Sequence, residues 1–186
     1  MRVIGVDQSM NHTGVCILDL DGRNEKLSLI EPRKLYGAAR LAAIRDALRR
    51  LLEGKRFAIG TLEGYSHGSV GPKFELGEVG AIVKLALFDV CQSVYVVAPK
   101  QLKKFVTANG SADKHDVMHA IQEQWGVYIR DDNQADAYGL AQIARQLHAI
   151  TTTKRHQLDV LHDLNGMRIY TEKPRPKLSR TFKGAL

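Results

Sequence analysis

Short apolar segments of strand length alternate along this chain with longer segments of helical apolar spacing. Residues 2–7, 13–20 and 26–35 predict three strands, and Asp21 with Gly22 is a hairpin turn signal between the last two. Residues 57–62 and 93–98 predict a fourth and a fifth strand. A hairpin meander continued by alternating helices and strands predicts an α/β fold, with one mixed five-stranded sheet and helices on its faces.

Five helices are predicted from the same pattern. The first covers about 39–55 and ends near Gly54, and the third is a short helix at 99–106. The fourth begins after a Ser111 cap, and the last core helix covers about 133–150. The second helix has one apolar face: Leu76, Val79, Val83, Leu87 and Val90. Beyond Ile150 the pattern is lost, so we expect one domain at 1–150 and an extended or disordered extension at 151–186.

Length and composition are those of a soluble globular chain. The 186 residues are 44% apolar, and no apolar segment approaches the roughly 20 residues of a membrane span. No export signal is recognisable at the N-terminus. The two cysteines, Cys16 and Cys91, lie in apolar surroundings without ligand spacing and predict buried thiols in a reducing compartment. We therefore expect a cytoplasmic protein.

The net charge of +7 is unevenly distributed. Residues 151–186 contain eight basic and three acidic side chains, which is +5 of the total. A basic extension on a nearly neutral body favours a polyanionic partner such as nucleic acid. The alternative is a solvated tail that only aids solubility.

Four carboxylates lie at the ends of predicted elements. Asp7 and Glu63 each follow an apolar strand, while Asp132 and Asp136 open the last helix and share one of its faces. Hard oxygen ligands of this kind hold two Mg²⁺ ions, which activate water and stabilise the leaving oxygen of a phosphodiester. Each residue has a simpler explanation: a turn at Asp7, a helix cap at Asp132 and a solvated face at Asp136.

The sequence resembles the RuvC family of Holliday junction resolvases, within the RNase H and retroviral-integrase superfamily. The segment "VIGVDQSMNHTGVCILD" resembles the family's first strand and hairpin, and "FAIGTLEGY" is similar to the strand that ends in its glutamate. "APKQLKKFVTANGSADKHDV" resembles its basic segment, and "DDNQADAYGLAQIA" resembles its closing aspartate helix. The resemblance covers residues 1 to about 150 in the family's order and implies an RNase H-like fold.

The resemblance implies the metal ligands Asp7, Glu63 and Asp136, with Mg²⁺ as the ion and Mn²⁺ as a substitute. The family's further aspartate falls at Asn133, with Asp132 beside it. We favour Asp132, because a carboxylate binds a dication better than an amide does. Lys103 and Lys114 also carry over, and either could neutralise charge that develops at the scissile phosphate.

Several residues are candidates for DNA binding. Lys100 and Lys104 are expected to contact backbone phosphates, and Lys154 with Arg155 belongs to the basic extension. The family has an aromatic residue shortly after the glutamate, where this chain has Tyr65, which either stacks on a base or is a simple loop tyrosine. Gln8 stands where the family has proline, and the long basic tail resembles that of virus-encoded members.

Our first hypothesis is a metal-dependent, structure-selective DNA endonuclease that resolves four-way junctions by paired nicks. Two opposed strands must be cut, so we expect a homodimer, with the helix after Glu63 as the contact through Leu76, Val79, Gly80 and Val83. One alternative is an endonuclease of broader range, acting also on forks and flaps. Another is an inactive nucleic-acid-binding module of the same fold. We expect it in the cytoplasm of a bacterium or of a virus-infected cell.

Overall fold

A mixed sheet with helices on both faces forms the body of the protein. The computed structural model describes residues 1–22, 25–65, 73–165 and 170–171. The strands are β1 (Arg2–Asp7), β2 (Thr13–Asp19), β3 (Glu25–Ile30), β4 (Phe57–Glu63), β5 (Cys91–Val97) and β6 (Tyr170–Thr171). The helices are α1 (Gly37–Leu52), α2 (Lys73–Val90), α3 (Pro99–Thr107), α4 (Lys114–Trp125), α5 (Asp132–His148) and α6 (Arg155–Asn165).

The sheet has the strand order β3-β2-β1-β4-β5-β6. Strands β1, β2 and β3 pair antiparallel as a meander, and β1, β4 and β5 are parallel. The five predicted strands and the α/β class are confirmed, although β3 ends at Ile30 rather than at 35. The described chain adds the two-residue β6, which pairs antiparallel with the edge of β5. So short a strand carries no apolar alternation that a sequence could reveal.

The sheet separates two apolar clusters. In β1, alternate residues point to opposite sides, so Val3 packs on the side of α3, α4, α5 and α6, while Ile4 and Val6 pack on the side of α1 and α2. Each side is closed by buried aliphatic residues from its helices. This alternation puts Asp7 on the α5 side, because it is two residues beyond Gly5, whose Cα faces α5.

Helix α5 lies unusually close to the sheet because two glycines face it. A Cβ atom on Gly5 would overlap the backbone of Ala137 and Ala141, and one on Gly14 would overlap the carbonyl of Asn133. A hydrogen bond also links β4 to this helix, because the buried hydroxyl of Thr61 donates to the carbonyl of Leu140 at 2.8 Å. The first turn of α5 is therefore held against the ends of β1 and β2.

Helix α6 extends the folded body past the predicted boundary at Ile150. Val160, Leu161 and Leu164 are at most 1% exposed and belong to the core on the α5 side. The buried Gln157 donates to the carbonyl of Phe105 in α3 at 3.2 Å. The expectation that regular structure ends at Ile150 is therefore wrong, and the segment "EKPRPKLSR" at 172–180 lies outside the described residues.

Helix α2 buries the face that we expected to contact a second chain. Val79, Val83 and Leu87 are fully buried against the sheet, so the predicted contact through Val79 and Val83 is wrong. The opposite face carries exposed apolar residues, with Phe74 91% and Leu85 67% exposed. This helix is apolar on nearly all sides, and only the tertiary structure decides which side is covered.

Candidate active site

Asp7 and Glu63 meet because they end two parallel neighbouring strands. Ile4, Gly5 and Val6 of β1 pair with Gly60, Thr61 and Leu62 of β4, so the next residue of each strand is a carboxylate. The Asp7 side chain is 6% exposed, and its carboxyl group is hydrogen-bonded to that of Glu63. Two carboxyl groups in such contact are costly to ionise together, which raises the pKa of the pair.

Asp136 comes to the same place from the first turns of α5. Burial and then the charge of Asp132 raise its pKa to about 6, although Lys103 and Lys114 act in the opposite direction. Burial, followed by the charge of Asp136, also raises the pKa of Glu63. The pKa of Asp7 is raised most, first by burial and then by Glu63 and Asp136. The three carboxylates thus form one electrostatically coupled cluster.

Asp132 and Asn133 have different partners. Asp132 forms an ion pair with Lys114, which holds the pKa of Asp132 below its usual value. The Asn133 amide instead lies on the carboxylate cluster, and in the orientation that satisfies its partners its nitrogen donates to Asp7 Oδ2 at 3.2 Å and to the His12 carbonyl at 3.1 Å. The structure therefore brings Asn133 to Asp7 and Asp132 to a lysine.

The two lysines implied by the resemblance both border this cluster. Lys103 of α3 is half-buried and near enough to Glu63 and Asp136 to lower the pKa of each. Lys114, at the start of α4, is raised in pKa by its hydrogen bond to Asp132 and also interacts with Asp136 and Asp7. A phosphate that reached the carboxylates would meet positive charge from both helices.

The other predicted DNA contacts are spread along α3 and α6. Lys100 is exposed at the first turn of α3. Lys104 Nζ and Arg155 Nε both contact Asp159, at 3.4 Å and 3.0 Å. Lys154 Nζ donates to Gln124 Oε1 at 2.8 Å. We did not foresee the role of Asp159, although its spacing of four residues from Arg155 is that of a helical ion pair.

Tyr65 lies against α2. Its hydroxyl donates to the carbonyl of Gly77 at 3.4 Å, and the ammonium of Lys84 lies 5.2 Å from the centre of its ring. A Cβ atom on Gly80 would overlap the hydroxyl, so this glycine makes room for the ring. Tyr65 remains 41% exposed, and His67, the next aromatic side chain of the loop, lies outside the described residues.

The donor set suits hard cations such as Mg²⁺, because it consists of carboxylate and amide oxygens. Within the described ranges, no three acidic, histidine or cysteine side chains already converge on a common point as ligands. The reason is visible in the contacts, since Asp7 and Glu63 share a hydrogen bond and Asp132 is paired with Lys114. A cation would offset the repulsion between these buried carboxylates, so the residues fit the ion chemically.

The family profile described as "Crossover junction endodeoxyribonuclease RuvC" matches residues 3–144, which is most of the chain. The chain belongs to the RuvC family. RuvC of Mycobacterium tuberculosis is 28% identical over 150 residues, covering 76% of this chain and 79% of that protein. RuvC of Nitrobacter hamburgensis is 31% identical over 129 residues, covering 66% and 75%. These two RuvC relatives are bacterial, and the viral origin stays a prediction.

Two solved RuvC structures share the fold. RuvC of Thermus thermophilus has a TM-score of 0.65 at 22% identity, covering 80% of this chain and 96% of its own. The T. thermophilus RuvC structure in complex with a Holliday junction substrate also has a TM-score of 0.65, at 19% identity, covering 91% and 99%. These likenesses confirm the RNase H-like fold, and the RuvC family is one of metal-dependent nucleases. No helix in the described part of the chain has both the length and the hydropathy needed to span a bilayer.

Proposed function

We propose that this RuvC-family chain is an endodeoxyribonuclease that resolves four-way DNA junctions by paired nicks. The proposal rests above all on the cluster of Asp7, Glu63 and Asp136 at the ends of β1, β4 and the first turns of α5. Burial and mutual repulsion raise the pKa of all three, which is a high cost for a site without function. A cation that neutralises the cluster removes this cost. The family relatives named above are crossover junction endodeoxyribonucleases.

The proposed cofactor is Mg²⁺, two ions in each site, with Mn²⁺ as a substitute. Bound Mg²⁺ supplies an activated water and neutralises charge on the phosphodiester that is cut. Asp7, Glu63 and Asp136 would hold the ions, and either Asn133 or Asp132 would complete the site. Lys103 and Lys114 border the carboxylates, where they offset the negative charge of the approaching phosphate. Lys114 can do so only if its ion pair with Asp132 breaks, or if its ammonium group contacts Asp132 and the phosphate together.

The DNA surface surrounds this cluster on the α3 side. Lys100 is exposed and contacts backbone phosphate in this proposal, as do Lys104, Lys154 and Arg155 once they leave their protein partners. Asp159 lowers the positive charge of Lys104 and Arg155, so their contribution is smaller than their number suggests. Tyr65 stacks on an exposed base with its ring, and such stacking is worth about 1–3 kcal/mol. The basic residues after 165 add non-specific affinity.

Paired nicks require two active sites, which we assign to a homodimer. The contact we propose is the outward face of α2, because Phe74, Ala81 and Leu85 are exposed and share one side of the helix at spacings of seven and four. Exposed apolar side chains aligned in this way are typical of an interface between chains. We place the enzyme in the cytoplasm, where a bacterial chromosome and its recombination intermediates lie.

The test is cutting of a labelled four-way junction, with a linear duplex of the same arms as the control. Wild-type protein should cut the junction in Mg²⁺, leave the duplex intact and be inactive in EDTA. Asp7→Asn should bind the junction as wild type does but not cut it, since it loses a ligand charge and keeps the phosphate contacts. Asp46→Asn is the matched control, because Asp46 is partly exposed on α1, on the other side of the sheet.

Cutting of forks and flaps at the same rate would favour the broader branched-DNA nuclease. Binding without cutting under every metal condition would favour the inactive binding module. Equal cutting of the linear duplex would remove structure selectivity from the proposal.

A further inference from the structure

Gln8 follows Asp7 directly but lies on the opposite side of the sheet. Its side chain is buried beneath α2, with 6% exposure. A Cβ atom on Gly80 of α2 would lie 2.7 Å from Gln8 Oε1, so the helix backbone closes over the amide. The end of β1 thus presents a carboxylate to α5 and a carboxamide to α2.

The amide ties the ends of the two ligand-bearing strands together. Gln8 Nε2 donates to the backbone carbonyl of Glu63 at 2.9 Å. The paired residues of β1 and β4 extend only to Val6 and Leu62. Gln8 therefore continues the connection between the strands at the level where Asp7 and Glu63 face each other.

The oxygen of the same Gln8 amide has a cost in folding free energy. Gln8 Oε1 is buried, and no partner for it exists among the residues that the structure describes. An unsatisfied buried acceptor destabilises the folded state, whereas an apolar side chain of the same length would not. A buried amide with such a cost indicates a role for its other half, the Gln8 Nε2 group that donates to the Glu63 carbonyl.

We propose that Gln8 is a positioning residue that holds Glu63 beside Asp7 for metal binding. The two carboxylates repel each other once both are ionised, and the charge of Asp136 adds to that repulsion. A neutral hydrogen bond from the opposite side of the sheet fixes the Glu63 backbone without occupying either carboxylate. This inference rests on the proposed metal site of the nuclease.

The test is Mn²⁺ binding by the free protein, measured by electron paramagnetic resonance and calorimetry together with the thermal midpoint. Gln8→Met keeps the length of the side chain and removes the donor. Its Kd for Mn²⁺ should rise about 10–100-fold, the range found when groups that orient metal ligands are removed, while the fold is retained. Gln92→Met is the matched control, because Gln92 is exposed on β5.

A second pair of variants acts on Gln8 from α2. Gly80→Ala should displace the Gln8 amide and weaken Mn²⁺ binding in the same direction as Gln8→Met. Gly77→Ala should leave the Kd unchanged, because nothing lies within 4 Å of the Cβ atom it would add. Tyr65 is also displaced in Gly80→Ala, but it is not a ligand, and binding of Mn²⁺ without DNA does not involve it.

The outcomes separate this inference from the proposed function. A folded Gln8→Met protein with the wild-type Kd would overturn the inference, as would a lower thermal midpoint with an unchanged Kd, which would make Gln8 purely structural. Wild-type protein that binds Mn²⁺ but cuts no junction would remove the proposed function and leave the role of Gln8 intact. Wild-type protein that binds no Mn²⁺ would remove both.

Discussion

The amide of Asn133 contacts the carboxylate of Asp7, with 3.2 Å between its nitrogen and Asp7 Oδ2. The contact exists because Gly14 lets the first turn of α5 rest on β2, against the carbonyl of Asn133. The carboxamide oxygen of Asn133 is a hard donor of the kind that would hold a cation beside Asp7. We therefore propose that Asn133, rather than the Asp132 favoured from the sequence, would complete the metal site.

Asn133→Ala should weaken Mn²⁺ binding by about tenfold or more, because it removes an oxygen next to Asp7. Asp132→Asn should leave the Kd for Mn²⁺ nearly unchanged and should not slow junction cutting, because it frees Lys114 to approach the phosphate. Calorimetry with Mn²⁺ and single-turnover cutting measure the two effects. The reverse pattern, with binding abolished in Asp132→Asn and kept in Asn133→Ala, would make Asp132 the ligand.

Stability without metal should fall as the pH rises. The pKa of Asp7 is raised from 3.8 to about 9, so between these values the folded state holds a proton that the unfolded chain has released. Folding then becomes less favourable with increasing pH. In EDTA, Asp7→Asn should have a higher thermal midpoint than wild type at pH 8, by at least about 3 °C, with a smaller gain at pH 5.

The same experiment in Mg²⁺ should reverse the order at pH 8, because only the wild type keeps all its ligand charges. Calorimetric scans at the two pH values, with and without metal, measure both effects. A midpoint of Asp7→Asn that lies below wild type in EDTA at pH 8 would show that Asp7 is stabilising without a cation.

The C-terminal extension must be shortened at 165 rather than at 150 to test its role in DNA binding. Residues 166–186 contain six basic and one acidic side chain, whereas residues 151–165 carry no net charge. Removal of 166–186 takes the two-residue β6 from the edge of the sheet and should preserve the rest of the fold. It should also reduce the slope of log K against log salt by about 0.9 for each duplex phosphate that the tail neutralises in the full-length protein. Fluorescence anisotropy over a salt series measures this slope.

Removal of 151–186 should instead destabilise the protein, because it takes Val160, Leu161 and Leu164 out of the core. The shorter truncation controls for the loss of charge. If the protein that ends at 165 has the same salt slope as the full chain, the tail does not contact DNA phosphates and serves only solubility. A longer truncation that is as stable as wild type would contradict the packing of α6.

The carboxylate cluster was predictable because Asp7 and Glu63 end apolar strand patterns, and parallel strands bring such ends together. Helix α6 was also encoded, since Gln157, Val160, Leu161 and Leu164 have helical spacing. We did not predict this helix, because the apolar pattern after Ile150 is weak and the segment is rich in basic residues. The contact between Gln8 and Glu63 could not be predicted, because it depends on the depth at which α2 packs over the end of β1.

The dimer contact can be tested on the outward face of α2. Phe74→Glu combined with Leu85→Glu should give a folded monomer that makes single nicks, because both residues are exposed and the charges oppose association. Light scattering measures the mass, and circular dichroism checks the fold. Ile150→Glu is the control, since Ile150 is also exposed but lies beyond the end of α5. A double variant that stays dimeric would place the interface elsewhere.

The most direct measurement of the central claim is cutting of a supercoiled plasmid that extrudes a cruciform, with Mg²⁺ as the only divalent ion. Two nicks made in one binding event convert the circle to a linear molecule, whereas independent nicks first give open circles. The account predicts linear product from wild-type protein, none from Asp7→Asn, and none in EDTA. Open circles as the lasting product, or linear product from Asp7→Asn, would contradict it.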